Sequence, residues 1–491
     1  MQDVRPDTVT PADRMRIIVG VLLAMFMAAL DQTIVAPVIP TLGAALGDTE
    51  YISWIISAYF LTATATTPLY GKFADIYGRR PTLMMAIAIF VIGSIICALS
   101  HSMVWMIAGR AVQGLGGGGL MALPNTVIGD LMPPRERGRL AGHIAIMWGT
   151  ASIAGPVLGG LIAERFDWTL IFWLNLPIAA FAVLMTSNSL KRLPWQKREH
   201  VLDYLGAVLI VTATVALMLA LALGPQAQFG WHSPVVIGLA VAAVALVPVI
   251  VWHLRRAPEP FVPVGVLRNR VVLLSTTSVF CSMAANIGMS VFVPLFLVLS
   301  MGLSSASAGS ALVPYMLGTV IAANIAGRHM LHAQHYKRLP LAGLAIAVVT
   351  LAYLAARIGT LDLLQFELLL FIIGGGIGFQ FPVTTVCVQN AVDPRDVGVA
   401  TGVLSFMRAL GSSLGLAVVA AVGAASGIAV EVGERTVAGA GQQLMAQNFA
   451  PVFATAACII ALSFALFAMM PELPLRGRPG SGPNVPHPQA K

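Results

Sequence analysis

Fourteen stretches of about twenty mostly apolar residues recur along the 491-residue chain, at 16–37, 52–70, 82–99, 103–123, 140–162, 169–187, 204–223, 234–253, 272–299, 307–327, 339–356, 364–388, 398–425 and 451–470. A helix of about twenty such residues crosses a ~30 Å hydrocarbon core, and no soluble fold could bury so many. The sequence therefore predicts an all-α integral membrane protein with fourteen transmembrane helices, spans 1 to 14. Only 10% of its residues are charged, against about 25% in soluble domains, so charge must be confined to the loops. The apolar run after Arg16 is too long for a signal-peptide core and shows no clear cleavage site, so it is read as span 1 and no cleaved targeting segment is expected.

The loop charges orient the chain. The N-terminus, the loops after spans 2, 4, 6, 8, 10 and 12, and the C-terminal tail hold 24 of the 29 Lys and Arg residues, while the opposite loops hold only Arg165, Arg357 and Arg435. Lys and Arg accumulate on the cytoplasmic side, which predicts a multi-pass protein of the cytoplasmic (inner) membrane with both termini in the cytoplasm. The net charge of +8 is explained by these loops, and with no basic face interleaved with aromatics, nucleic acid is excluded as a partner. Cys97, Cys281, Cys387 and Cys458 lie in apolar stretches without a CxxC pair or a histidine at ligand spacing, so they are expected to pack in the core. A short surface helix is expected in the outer loop at 426–450, and a disordered tail at 471–491.

Charge at bilayer depth is costly, so each survivor is a candidate site. Asp31 lies fifteen residues past Arg16, about 22 Å along the helix, and Arg110 lies nine past His101, about 14 Å. Arg408 lies twelve past Asp396, about 18 Å. Asp31 is the only carboxylate well inside a span; Glu367 sits within about a turn of the outer interface. Two readings of Asp31 stay open: a carboxylate whose desolvation raises its proton affinity and lets it load and release a proton or cation, or an interhelical pin salt-bridged to Arg110. Gln113 and Gly117 follow Arg110 at i+3 and i+7, placing guanidinium, amide and bare backbone on one stripe. The run GLGGGG (114–119) permits close approach of a helix or substrate and lacks the strand and Lys-Ser/Thr of a nucleotide loop. Arg408, Gly411 and Gly415 repeat the spacing on span 13, where Arg408, with no acid at matching depth and Glu367 as the nearest C-half candidate, is read as structural.

Span 5 carries Gly142, Ala151, Gly155, Pro156, Gly159 and Gly160, a pattern suited to a kinked hinge or seal with close helix crossing, or to ordinary small-residue packing. In the loop between spans 2 and 3, Asp75 is placed to meet a helix N-terminus or Arg135, Arg137 or Arg139. The corresponding C-half segment, GRHMLHAQHYKR (327–338), has no carboxylate, and its His329, His332 and His335 read as a solvated turn rather than a metal site.

LDQTIVAPVIP (30–40), GKFADIYGRR (71–80), RAVQGLGGGG (110–119) and GPVLGG (155–160) follow one another on spans 1, the 2/3 loop, 4 and 5. In combination they closely resemble the major facilitator superfamily, and the fourteen spans, the Leu-Asp-x-Thr-Ile-Val opening and TGVLSFMRALGSSLG (401–415) resemble its drug:proton antiporter branch of the EmrB/QacA type. The resemblance implies a cytoplasmic N-terminus (1–15), a six-helix bundle (16–187), a linker with two inserted helices (188–253), a second six-helix bundle (254–470) and the tail. It implies Asp31 as the proton or substrate carboxylate with Arg110 and Gln113 as coupling partners. Gly71, Asp75, Gly78, Arg79 and Arg80 would form a conformational lock, and Gly142, Gly155, Pro156, Gly159 and Gly160 the antiporter motif. The expected function is proton-coupled export of hydrophobic or cationic small molecules such as drugs by alternating access. Export of one native metabolite, lipid or siderophore is the alternative, and a membrane-embedded enzyme a remote one. No cofactor or metal is expected, the driving force being the proton gradient; partners are a lipophilic substrate, protons, the bilayer and, left open, a periplasmic adaptor.

Overall fold

The computed structural model describes residues 10–475 except 48–50, 53, 133, 188, 191–202, 225–229, 258–259, 261, 304–307, 309, 333–334, 394–395 and 429–445, together with some helical side chains, those of 134–142 and Pro156 among them. The principal helices are α1 (Pro11–Ile34), α2 (Trp54–Tyr77), α3 (Arg79–Ala98), α4 (Met103–Leu131), α5 (Pro134–Arg165), α6 (Asn175–Thr186), α7 (Tyr204–Leu223), α8 (Pro234–Arg256), α9 (Arg270–Met301), α10 (Val313–His332), α11 (Arg338–Arg357), α12 (Leu363–Gly378), α13 (Gln380–Ala391), α14 (Val397–Ala425) and α15 (Ala450–Met469). Each expected span coincides with one of these, except that span 6 is preceded by a separate turn at Leu170–Trp173 and span 12 is divided into α12 and α13. Among the described residues, ten helices are long and apolar enough to cross a membrane. Many of their large apolar residues face outward, as on α8, where Val241, Val244 and Trp252 are exposed, a surface that is stable only against lipid.

Polar side chains start the helices where the apolar runs begin. Thr10 accepts from the Asp13 amide, Asn269 from those of Val271 and Val272, and Asp362 forms a capping box with Gln365, satisfying amides that the first turn leaves unpaired. Asp203 caps α7 and also meets Nε2 of His253 at 2.7 Å, tying α7 to α8.

One large apolar core runs from Val266 to Leu475 through α9 to α15, and three smaller ones lie within residues 17–190. Helices α7 and α8 pack on each other, and α7 leans on α2 and α14. The two sets of helices meet along two seams, α2 against α14 and α5 against α10.

One expectation is corrected here. Cys97, Cys281 and Cys387 are buried, but Cys458 is exposed on α15, because its position on the helix faces away from the bundle. The residues around the end of α15 bond to the segment before α11 and to α13: the Tyr336 hydroxyl donates to the Leu473 carbonyl (2.7 Å), Asn390 Nδ2 to that of Pro474 (3.1 Å), and Lys337 Nζ to those of Ala468 and Met470. Glu472 accepts from the Lys337 amide (3.0 Å) and lies 3.4 Å from His335, so the chain's end supplies the acid that segment 327–338 lacks. The surface helix expected at 426–450 and the tail beyond 475 lie largely outside the described residues.

Candidate functional site

The glycine run builds the site. Gly114 lies against Tyr59 and Thr62, Gly116 against Ala86 and Phe90, and Gly118 against Ala63 and Thr66, so any side chain at these positions would push α4 off α2 and α3. Thr62 Oγ1 donates to the Ala111 carbonyl (2.8 Å), adding a cross-helix bond at the same closeness. Gly93 opposes the Gln113 backbone and Gly117 the Tyr59 hydroxyl, which brings α3 and the Tyr59 ring up to the polar stripe of α4.

Into this space α1 projects Asp31. Asp31 and Arg110 are each 1% exposed, with Arg110 Nη1 2.6 Å from Asp31 Oδ2. The same nitrogen donates to Gln113 Oε1 (2.6 Å), and Nε donates to the Ile55 carbonyl (3.0 Å). The guanidinium lies 4.5 Å over the Tyr59 ring, a favourable cation–π placement. Asp31 Oδ1 accepts from Gln113 Nε2 (2.8 Å) and Asn175 Nδ2 (3.1 Å), and both amides also reach Ser94 Oγ, at 2.8 and 3.1 Å. Five helices thus converge on one carboxylate, which accepts three hydrogen bonds. The sequence singled out Asp31, Arg110 and Gln113, and these three meet. It missed Ser94, Asn175 and Tyr59; the signal available was an isolated polar residue deep in an apolar run.

Arg79 sits between two acids, Nη1 2.5 Å from Asp75 and Nε 2.6 Å from Asp130. Asp75 Oδ2 also accepts from the Val399 amide in the first turn of α14 (3.2 Å). Of the partners weighed for Asp75, the helix N-terminus is present; the side chains of Arg135, Arg137 and Arg139 lie outside the described residues, and Asp130 was not foreseen. Gly71 lies 2.7 Å, measured from an added Cβ, from the Gly398 carbonyl, and Gly398 faces the Asp75 carboxylate, so α2 and α14 touch backbone to backbone. Gly78 (φ 94°) makes the turn into α3 in a conformation that only glycine adopts freely. Arg80 is directed elsewhere, donating to the Ser187 carbonyl (2.8 Å) and hydroxyl. Asp75 stands at the end of α2, beyond the apolar part of the span. Burial pushes its carboxyl up to about 6 despite the neighbouring Arg79. Asp75→Asn and Gly398→Val are each expected to raise labelling of single cysteines placed at this end of the α2/α14 seam severalfold; unchanged labelling in both would show that the contact does not hold the seam.

On α5, Gly155 faces Thr33, and Gly159 faces the Ile34 carbonyl and Pro37. Thr33 Oγ1 donates to the Ala151 carbonyl (2.9 Å), so α1 and α5 cross closely along Ala151, Gly155 and Gly159. Gly160 takes no part, since a Cβ there meets nothing within 4 Å. The side chains at Gly142 and Pro156 lie outside the described residues. Gly155→Val is therefore expected to reduce transport at least tenfold, with Gly160→Val near wild type, measured as initial rates at matched protein levels; equal effects would remove the crossing from the mechanism.

In the other set of helices, Arg408 Nη2 donates to the Phe381 carbonyl (3.3 Å) and Thr385 Oγ1 (2.8 Å) on α13. Gly411 and Gly415, on the same stripe, pack on Phe280 and Ala284 of α9. Glu367 is on α12, fourteen residues from Phe381 and so about 21 Å away along the span; the structure does not bring it to Arg408. A neutral cluster unforeseen from the sequence, Ser278, Ser282, Gln380 and Ser463, joins α9, α13 and α15, with Ser282 Oγ 2.5 Å from Gln380 Oε1. His329 and His335 are exposed, and no cluster able to hold a metal occurs among the described residues.

The family model "Major Facilitator Superfamily" matches residues 21–416. Multidrug resistance protein 3 of Bacillus subtilis is 32% identical over 82% of this chain and 78% of its own length. Multidrug resistance protein fnx1 of Schizosaccharomyces pombe is 32% identical over 80% and 75%. Among solved structures, the human organic anion transporter MFSD10 (TETRAN) superposes with a TM-score of 0.61 at 19% identity, covering 93% of this chain and all of that one, which shows the common fold. With that match over most of its length and the helical bundle it forms, the chain belongs to the major facilitator superfamily, as a multi-pass membrane transporter.

Proposed function

We propose that this protein is a proton-coupled exporter of hydrophobic small molecules, working by alternating access in the cytoplasmic membrane. The observation that carries the reading is Asp31, a carboxylate 1% exposed and held by Arg110, Gln113 and Asn175. A proton arriving at Asp31 would cancel its charge and weaken the hold on Arg110, giving the bundle two arrangements of similar energy that differ in protonation. The contact of Asp75 and Gly71 with the start of α14 would hold the two halves together at one end, and the α1/α5 crossing would seal the path around Thr33.

The relatives' names as multidrug resistance proteins support a drug-like, hydrophobic substrate. The expectation of cationic cargo gains no such support, since Asp31, the deep carboxylate, is already engaged by Arg110. The proposal keeps fourteen crossings, with α7 and α8 inserted between bundles at 16–187 and 254–470, both termini in the cytoplasm, and no cofactor. It is tested in proteoliposomes: an imposed pH gradient should drive a hydrophobic dye against its concentration gradient, with protons entering the compartment the dye leaves, and a protonophore that collapses the gradient should abolish the dye movement. Dye movement indifferent to the pH gradient would refute proton coupling.

A further inference from the structure

We infer that Arg408 recognises the anionic head of an amphipathic substrate, so that the exporter proposed above carries lipophilic acids. The inference rests on that reading for the direction of transport, but the binding site stands on its own geometry. Arg408 lies on α14 about 18 Å past Asp396, at the junction of α9, α13 and α14. Its Nη2 is used by the Phe381 carbonyl and the Thr385 hydroxyl, while its Nε is shut off from solvent and meets no acceptor. No carboxylate among the described residues forms an ion pair with it.

The contrast with Arg110 is the point. Both guanidiniums are at depth, but Arg110 is matched by Asp31, the Gln113 amide, the Ile55 carbonyl and the Tyr59 ring. Arg408 has two neutral acceptors, both on one nitrogen. The neutral cluster of Ser278, Ser282, Gln380 and Ser463 bonds within itself, and Arg408 instead bonds Phe381 and Thr385. Glu367 is too distant along its span.

A cation left unneutralised at bilayer depth is expensive, and a purely packing side chain would not need the charge. The two bonds to α13 fix the plane of the guanidinium and leave Nε without an acceptor, while the side chain as a whole is only partly buried. A carboxylate is the acceptor that such a guanidinium lacks: it is planar and charged, and it accepts from two guanidinium nitrogens together. With Asp31 compensated by Arg110, the unbalanced deep charge among the described residues is positive, which favours an acid and opposes an ammonium ion.

The test is equilibrium binding to the full-length protein in nanodiscs without any gradient, using three probes of one apolar body: 1-naphthylacetate, 1-naphthylacetamide and (1-naphthylmethyl)trimethylammonium. Wild type should bind the carboxylate about tenfold or more tighter than the amide, the loss expected for one charge-assisted contact, and the ammonium most weakly. Arg408→Gln should erase that preference while leaving amide affinity unchanged, and Arg408→Lys should keep part of it. Unchanged amide binding also shows that the variant is folded. Absence of a carboxylate preference in wild type, or an equal loss for all three probes in Arg408→Gln, would overturn the inference. Because no gradient is applied, carboxylate selectivity without proton-driven dye movement would leave this site standing and defeat only the proton coupling.

Discussion

Asp31→Asn should reduce export against a gradient to the vesicle background while downhill binding of the hydrophobic dye persists. Asparagine keeps the shape and can still accept from Gln113 and Asn175, which now donate to Asp31 Oδ1 at 2.8 and 3.1 Å. It cannot titrate. The substitution also leaves Arg110 buried without its counter-charge, and breaking a buried pair from one side costs about 3–5 kcal/mol, so thermal stability should fall measurably and must be recorded beside transport. Uphill transport retained by Asp31→Asn would remove Asp31 as the proton site.

The second expected result separates a proton site from a pin. Arg110→Ala should inactivate the protein, and Arg110→Lys should recover no more than roughly a tenth of the rate, because an ammonium lacks the planar fork. The geometry explains the gap: the guanidinium serves Asp31 and Gln113 from Nη1 and the Ile55 carbonyl from Nε, and lies 4.5 Å over the Tyr59 ring. Asp31→Asn and Arg110→Ala each strand one charge. The double variant Asp31→Asn/Arg110→Gln strands none, and replacing both members of a buried pair is often close to neutral. It should therefore regain most of the lost thermal stability without regaining proton-driven export. A double variant that both folds and pumps would show the pair to be a structural pin alone.

The helices and the deep charges could be read from the chain because they depend on local facts. Twenty apolar residues must cross the bilayer or be buried whatever their neighbours, and an Asp or Arg within them stands out against the cost of its position. Spacing at i+3 and i+7 carried Gln113 and Gly117 to the face of Arg110, since the helical period places them there. The small residues of spans 4 and 5 marked close crossings for the same reason.

What each side chain meets was decided by contacts far apart in sequence. Asp31 and Arg110 are 79 residues apart, Asp31 and Asn175 are 144 apart, and Asp75 meets Val399 across 324. Ser94 and Asn175 look unremarkable within apolar runs until the rotation of α3 and α6 about their axes turns them onto the carboxylate. Gly155 and Gly160 belong to one motif, yet only Gly155 faces α1, because five residues turn a helix by more than a full revolution. Cys458 faces outward for the same reason, and Glu472 completes a segment more than a hundred residues earlier by docking the chain's end there. By itself the sequence determined which segments are apolar enough for a membrane and which charges lie within them, because the cost of burial is local. Only the tertiary structure decided which of those charges are answered, Asp31 by Arg110 and Arg408 by no carboxylate among the described residues, because pairing depends on how separate helices rotate and approach.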